Sequence, residues 1–148
     1  MSSRTDDWIT YAENALSAAG HRRGGARRAL LELLDGERCA LTAVEIEDTL
    51  RARGRRVSRA SVYRILEQLE GLDLVQRVET GQAMVRYERS GGAGHEHHHH
   101  LVCEACGVVM PFSDEGLEQA ISSLSARVPL TVSEHEIVLR GECRDCAA

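Results

Sequence analysis

Two cysteine pairs of the form CxxC, Cys103/Cys106 and Cys143/Cys146, constrain this chain more than any other feature. Two cysteines with two residues between them can curl around one ion, and a second such pair completes a tetrahedron of thiolates. Cys103-Glu104-Ala105-Cys106-Gly107 has the form of a metal knuckle, with a glycine to relieve the turn. The four cysteines are therefore expected to form a closed structural Zn²⁺ site. A thiol redox pair is the competing reading, but it goes with a βαβ setting that this sequence lacks. The fifth cysteine, Cys39, stands alone and reads as a small buried hydrophobe.

A metal staple suits the rest of the composition. At 148 residues the chain makes one ordinary domain or two small ones. Apolar residues make up 43%, which excludes wholesale disorder, but aromatics are only 3%. Two cores built from Leu, Val, Ile and Ala would each be thin, and thin cores often rely on a metal. No stretch approaches the length of a transmembrane helix, and the N-terminus lacks the apolar core of a signal peptide. A soluble cytoplasmic protein with no membrane partner is expected, and a reducing cytosol favours metal over disulfides.

The net charge of −5 conceals an asymmetry. Residues 22–64 hold 11 Arg and 6 acids, whereas residues 81–148 hold 5 Arg and 10 acids. A basic segment on an acidic chain suggests a localised anion-binding face. The sequence contains no Lys, so a solvated helix surface accounts for the arginines equally well on charge alone.

Helical spacing of apolar residues predicts helices over Trp8–Ala19 and Ala26–Leu34. A third begins at the capping box Thr42-Ala43-Val44-Glu45 and runs to about Arg53. A fourth is capped by Ser58 and turns Val62, Ile65, Leu66, Leu69 and Leu72 to one side. Strands near Leu74–Val78 and Ala83–Tyr87 are joined by Glu79-Thr80-Gly81-Gln82, which suits a hairpin. Three or four helices followed by a hairpin outline a winged helix-turn-helix. Residues 90–94, Ser-Gly-Gly-Ala-Gly, form a linker by composition, giving domains at 1–89 and 95–148. The second domain reads as strands over His97–Cys103 and Val108–Phe112, a helix near Asp114–Arg127 and a last strand over about Leu130–Leu139. The fold class expected is α+β: a winged helix-turn-helix, then a small α/β domain holding the zinc.

The run His95-Glu96-His97-His98-His99-His100 leads straight into Leu101-Val102-Cys103. A strand sends alternate side chains to opposite faces, so His97 and His99 share one face and His98 and His100 the other. One strand could thus feed two metal sites, although a solvated polar loop that merely attracts metal remains open. Glu118 and His135 could fold back onto the His97/His99 face. Glu88, at the end of the hairpin, and Glu79, at its turn, are candidates for the other. On the outer face of the fourth helix, Ser61, Tyr63 and Arg64 suit contact with base edges and phosphates. Arg22, Arg23 and Arg27 could hold the flanking DNA backbone.

These motifs together resemble the ferric uptake regulator family. Ser61-Val62-Tyr63-Arg64 is similar to its recognition-helix motif, and His97 to Gly107 is similar to the signature of its dimerisation domain, as is Gly141-Glu142-Cys143-Arg144-Asp145-Cys146. The resemblance implies a homodimeric repressor that grips a palindromic double-stranded DNA operator when loaded with metal. Carried over by position, Cys103, Cys106, Cys143 and Cys146 match the structural zinc site. His97, His99, Glu118 and His135 match the site within the dimerisation domain. Glu88, His98 and His100 match the regulatory hinge site, with Glu79 as the candidate fourth ligand and Cys39 as the alternative. Arg27 carries over as a DNA contact.

Three departures from the family pattern bear on the metal. Ala40 stands where iron and peroxide sensors take a hinge histidine. Glu88 stands where zinc sensors tend to use a cysteine. Pro111 replaces the extra aspartate of peroxide sensors. The set Glu79, Glu88, His98 and His100 would accept Zn²⁺, Fe²⁺ or Mn²⁺, because imidazole and carboxylate discriminate poorly among them. A zinc-sensing regulator of metal-homeostasis genes is the favoured expectation, with iron or manganese sensing as the alternative. A zinc-buffering or trafficking protein is the rival of another class. A zinc hydrolase is not expected, since a four-cysteine site is closed and no HExxH-like arrangement is present.

Overall fold

The computed structural model of the chain describes residues 5–81, 84–90 and 97–148. Two compact units emerge, Met1–Glu96 and His97–Ala148. From residue 91 onward the expected linker lies outside the described residues, as do His95, Glu96, Gln82 and the expected strand start at Ala83.

The N-terminal unit runs α1 (Thr5–Ala18), α2 (Gly25–Gly36), β1 (Leu41–Thr42), α3 (Ala43–Ala52), α4 (Arg59–Gly71), β2 (Val75–Glu79) and β3 (Val85–Arg89). The capping box at α3 is complete. The Thr42 hydroxyl accepts from the Glu45 N–H at 3.1 Å, and the Thr42 N–H donates to Glu45 Oε2 at 2.8 Å. The same Glu45 oxygen receives Arg86 Nη1 at 2.9 Å, which ties β3 to the start of α3. At α4 the Ser58 hydroxyl accepts from the Ser61 N–H at 3.2 Å.

The amphipathic faces of these helices meet in one core. Leu16 comes from α1, Leu30 and Leu31 from α2, Ile46 and Leu50 from α3, and Val62, Leu66 and Leu69 from α4. The sheet has the order β1-β3-β2 and is antiparallel throughout. Gly81, at φ +85°, supplies the left-handed residue that the hairpin turn requires. Helices α3 and α4 with this hairpin form the winged helix-turn-helix. An ion pair is buried in this unit: Asp35 accepts from Arg89 at 2.7 Å, and the Arg89 guanidinium lies 5.6 Å from the centroid of the Trp8 ring.

The C-terminal unit contains β4 (His99–Cys103), β5 (Val109–Phe112), α5 (Glu115–Ser125), β6 (Val138–Gly141) and the short α6 (Arg144–Ala147). Its sheet has the order β5-β4-β6, with β5 antiparallel and β6 parallel to β4. The central strand β4 carries every buried residue among those described in this unit: His99, His100, Val102 and Cys103.

The last strand corrects the sequence reading. Only residues 138–141 pair with β4, and residues 131–137 have no regular structure. Apolar spacing over 130–139 resembled a strand, but a strand exists only where a partner backbone takes its hydrogen bonds. The two-residue β1 and the helix α6 had no sequence signal.

Candidate metal centres and nucleic-acid face

The knuckle forms because β4 ends at Cys103 and turns back at once into β5. The Gly107 N–H donates to the Cys103 carbonyl at 2.8 Å, and Gly107 takes φ +76°. At the other end of the unit, Cys143 is the N-cap of α6, so the first turn of that helix brings Cys146 round beside it. The four thiols Cys103, Cys106, Cys143 and Cys146 have their sulfurs within 4.8 Å of one another. Cys106 Sγ and Cys143 Sγ are 3.9 Å apart, too far for a disulfide. A tetrahedron of Zn–S bonds near 2.3 Å has edges of about 3.8 Å, so this spacing suits zinc.

The electrostatics agree with that fit. The backbone N–H groups of Cys143 (3.3 Å) and Cys106 (3.5 Å) donate to Cys103 Sγ and hold its thiol at about 6. Hydrogen bonds with the neighbouring thiols, Cys143 foremost, push Cys146 up to about 12. One thiolate is favoured and crowds the next, which is the arrangement a dication resolves.

A second centre gathers on the opposite side of the histidine run. His97, His99, Glu118 and His135 place one ligand atom each within 4.8 Å of the others. Asp114 caps α5 by accepting from the Leu117 N–H at 2.8 Å, and this fixes the turn that carries Glu118. Glu118 Oε1 lies 2.6 Å from His99 Nε2, and Oε2 lies 2.9 Å from His135 Nε2. These bonds, the one with His99 first, hold the Glu118 carboxyl below its ordinary range. Desolvation lowers the pKa of His97, which favours the neutral ring. An ionised carboxylate and neutral imidazoles are the forms in which these groups bind metal. The Ile137 N–H donates to His99 Nδ1 at 3.2 Å, so the proton of the neutral ring sits on Nε2, facing Glu118. A cation at Nε2 must displace that proton.

Of the other candidates, each unit holds its own part. In the C-terminal unit the His98 and His100 rings stack edge to face, with centroids 5.0 Å apart, and Glu136 Oε1 lies 3.6 Å from His100 Nδ1. In the N-terminal unit Glu88 is buried on β3 and accepts from Gln76 across the β2–β3 pair. Glu79 is not brought to it. Glu79 pairs with Val85, three residues along β2 from Gln76, about 10 Å away and on the other face of the sheet. Instead the Cys39 thiol lies within 4.8 Å of the Glu88 carboxylate. Cys39 is half-buried rather than fully buried, which corrects its reading as a core hydrophobe.

On α4, Val62, Ile65, Leu66 and Leu69 face the core and turn Tyr63 and Arg64 outward. Ser61 is partly engaged in its own helix cap, since its hydroxyl accepts from Ser58 Oγ at 3.0 Å. Arg59 binds Glu47 at 2.8 Å, which fastens the start of α4 to α3.

The sequence profile of the ferric uptake regulator family matches residues 18–140. This chain belongs to that family. The ferric uptake regulation protein of Legionella pneumophila is 35% identical over 134 residues, covering 88% of this chain and 95% of that protein. The crystal structure of the Vibrio cholerae ferric uptake regulator superposes with a TM-score of 0.75 at 32% identity, over 88% of this chain and 98% of that one. The Helicobacter pylori ferric uptake regulator, a protein with three functional metal-binding sites, shares the fold at a TM-score of 0.81 and 24% identity, over 99% of this chain and 97% of that one.

As a member of the family the chain is a metal-responsive transcriptional regulator. Proteins of the family are DNA-binding dimers and are regulators, not enzymes. The α+β fold and the cysteine cluster near the C-terminus are those expected from the sequence. No described helix is long and apolar enough to cross a membrane. Of the two residues that the sequence leaves open as the fourth hinge ligand, Glu79 and Cys39, the structure brings Cys39 to Glu88.

Proposed function

We propose that the chain is a zinc-responsive homodimeric repressor of metal-homeostasis genes, acting on a palindromic DNA operator. One observation carries the choice of metal: in the N-terminal unit a thiol, Cys39, lies beside the buried carboxylate Glu88. Thiolate is a soft ligand that favours zinc over Fe²⁺ and Mn²⁺, whereas an all-nitrogen-and-oxygen set discriminates little. The regulatory ligands assigned are Glu88, His98 and His100, with Cys39 in place of Glu79. Cys103, Cys106, Cys143 and Cys146 hold a structural zinc that does no sensing. His97, His99, Glu118 and His135 form an additional centre of three nitrogens and one carboxylate, open to Zn²⁺ or Fe²⁺.

Arg27, Ser61, Tyr63 and Arg64 are assigned to DNA. The dimer is supported by exposed apolar side chains on the C-terminal unit, among them Leu124, Leu130 and Leu139. Bound metal strengthens DNA binding only by the difference in its affinity for the DNA-competent and incompetent arrangements.

The test is DNA affinity of the protein with its structural zinc retained, at fixed salt, with Zn²⁺, Fe²⁺, Mn²⁺ or no added metal. Zinc should tighten binding most, and Cys39→Ser should weaken that preference. Equal affinity in all four states sinks the switch, and a zinc-buffering role then gains. A response to Fe²⁺ or Mn²⁺ that survives in Cys39→Ser moves the assignment to iron or manganese.

A further inference from the structure

Arg27 lies in the first turn of α2 and is only 4% exposed. Its Nη1 donates to the His21 carbonyl at 3.2 Å, but its buried Nη2 meets no hydrogen-bond partner among the described residues. A guanidinium keeps its charge and all five donors at any physiological pH. A buried, unmatched donor is costly, so this position calls for an anion. Arg27 lines a cleft of about 450 Å³ whose walls include Arg22, Arg23, Arg64 and Gln68, and no carboxylate is among the lining residues. Arg22, Arg23 and Arg64 make no ion pair with any described residue. Arg28, Arg51, Arg59, Arg86 and Arg89, by contrast, each hold a carboxylate.

The cleft opens at the start of a twelve-residue helix that has no side-chain cap. Its N-cap is Gly24, extended at φ −166°, and Gly25 follows. A Cβ built on either glycine meets nothing within 4 Å. Helix starts favour Ser, Thr, Asp or Asn, which occupy the first-turn N–H groups. Here those donors and the positive end of the helix dipole face open space beside four arginines.

The geometry points to a built seat for one phosphate oxyanion, with the first-turn N–H groups of α2 and Arg27 Nη2 as its floor and Arg22, Arg23 and Arg64 as its rim. The inference rests on the regulator reading for its source, a phosphate of the DNA backbone next to the bases that α4 faces. Such a contact fixes register and reads no sequence. Free orthophosphate offers the same oxygens and is the other possible source.

Gly24→Asp places a carboxylate of the chain's own in the seat and supplies the missing cap, so the Tm of the full chain should hold or rise. Its binding to duplex DNA, measured with metal-loaded protein across a salt series, should weaken about tenfold for promoter and random sequence alike. The slope of log K against log salt should fall by about 1, one phosphate contact fewer. Gly24→Ser, which caps without adding charge, should change the slope in the same direction. In a second arm, inorganic phosphate should raise the Tm of the wild type above that in chloride at equal ionic strength, and not that of Gly24→Asp. Phosphate protection with an unchanged DNA slope keeps the seat and overturns DNA as its source. An unchanged slope with no phosphate protection overturns the seat. Should the wild type bind no duplex in any metal state, the regulator reading fails, and the phosphate arm alone decides on the seat.

Discussion

In the N-terminal unit, four helices turn leucines and isoleucines into one core, and Leu30, Leu31, Leu33 and Ile46 are wholly out of solvent. In the C-terminal unit, α5 buries no residue at all, and half of what β4 buries is histidine. The first unit is held by apolar area removed from water. The second has too little of it, and in the proposed reading metal ions cross-link it through thiolates, imidazoles and a carboxylate. A binding switch is easier to build in the second kind of structure, because order there is itself linked to ligand concentration.

The sharpest way to break this contrast is to take the metal away. Structural Zn²⁺ in small cysteine-rich modules contributes about 10–16 kcal/mol of apparent binding free energy. Stripping zinc with a strong chelator, or the substitution Cys103→Ser, should therefore abolish amide protection in β4, β5 and β6. The helices α2, α3 and α4 should stay protected. Hydrogen exchange read residue by residue is the measurement, and a C-terminal sheet that keeps its protection without zinc would refute the contrast.

Next in size is the polar exception inside the apolar unit. Asp35 and Arg89 are 2% and 8% exposed at the side chain and 2.7 Å apart. Removing one partner of such a pair costs about 3–5 kcal/mol, because the other charge stays buried, while replacing both by apolar side chains is often neutral. Asp35→Ala should lower urea stability by that amount, and Asp35→Leu/Arg89→Met should recover most of it. If the double variant is as unstable as the single one, Arg89 has a role beyond its partner.

A matched pair of leucines then compares the two units directly. Leu66→Ala, at a site 1% exposed, should cost about 2–5 kcal/mol. Leu124→Ala, at a site 53% exposed on α5, should change monomer stability by no more than about 0.5 kcal/mol. Any larger effect of Leu124→Ala should appear as weaker self-association in sedimentation. A fall in zinc retention instead would show that α5 packs on the metal centre more firmly than its exposure implies.

What could be read in advance follows the range of the interaction. The capping box, the CxxC pairs and the alternation of His97 to His100 are local patterns, and the structure keeps them. The register of β1 on β3 is not local. Leu41 pairs with Tyr87 and Thr42 with Arg86, and that register continues toward Ala40 and Glu88, which brings Cys39 to the carboxylate. Nothing in the spacing of residues 39 and 88 announces this. The separation of Glu79 from Glu88 is hidden for the same reason, since its face and its distance depend on the β2–β3 register. The strand expected over 130–139 shrank to its end because apolar spacing is a property of the segment and strand pairing is not.

The smallest effect tests a junction that was legible in sequence and yet does more than its local pattern implies. Thr42 caps α3 through Glu45, and Glu45 also receives Arg86 from the wing. Losing the cap hydroxyl should cost about 1 kcal/mol by the usual value for a threonine N-cap. Thr42→Ala leaves the Thr42 backbone N–H bond to Glu45 possible, and Glu45→Ala removes that bond and the Arg86 contact together. Arg86 is itself only 7% exposed, so Glu45→Ala should cost clearly more than Thr42→Ala. It should also speed hydrogen exchange in β3 as well as in α3. Equal costs, with exchange confined to α3, would reduce Glu45 to an ordinary cap and leave the wing held by the β1–β3 and β2–β3 ladders alone.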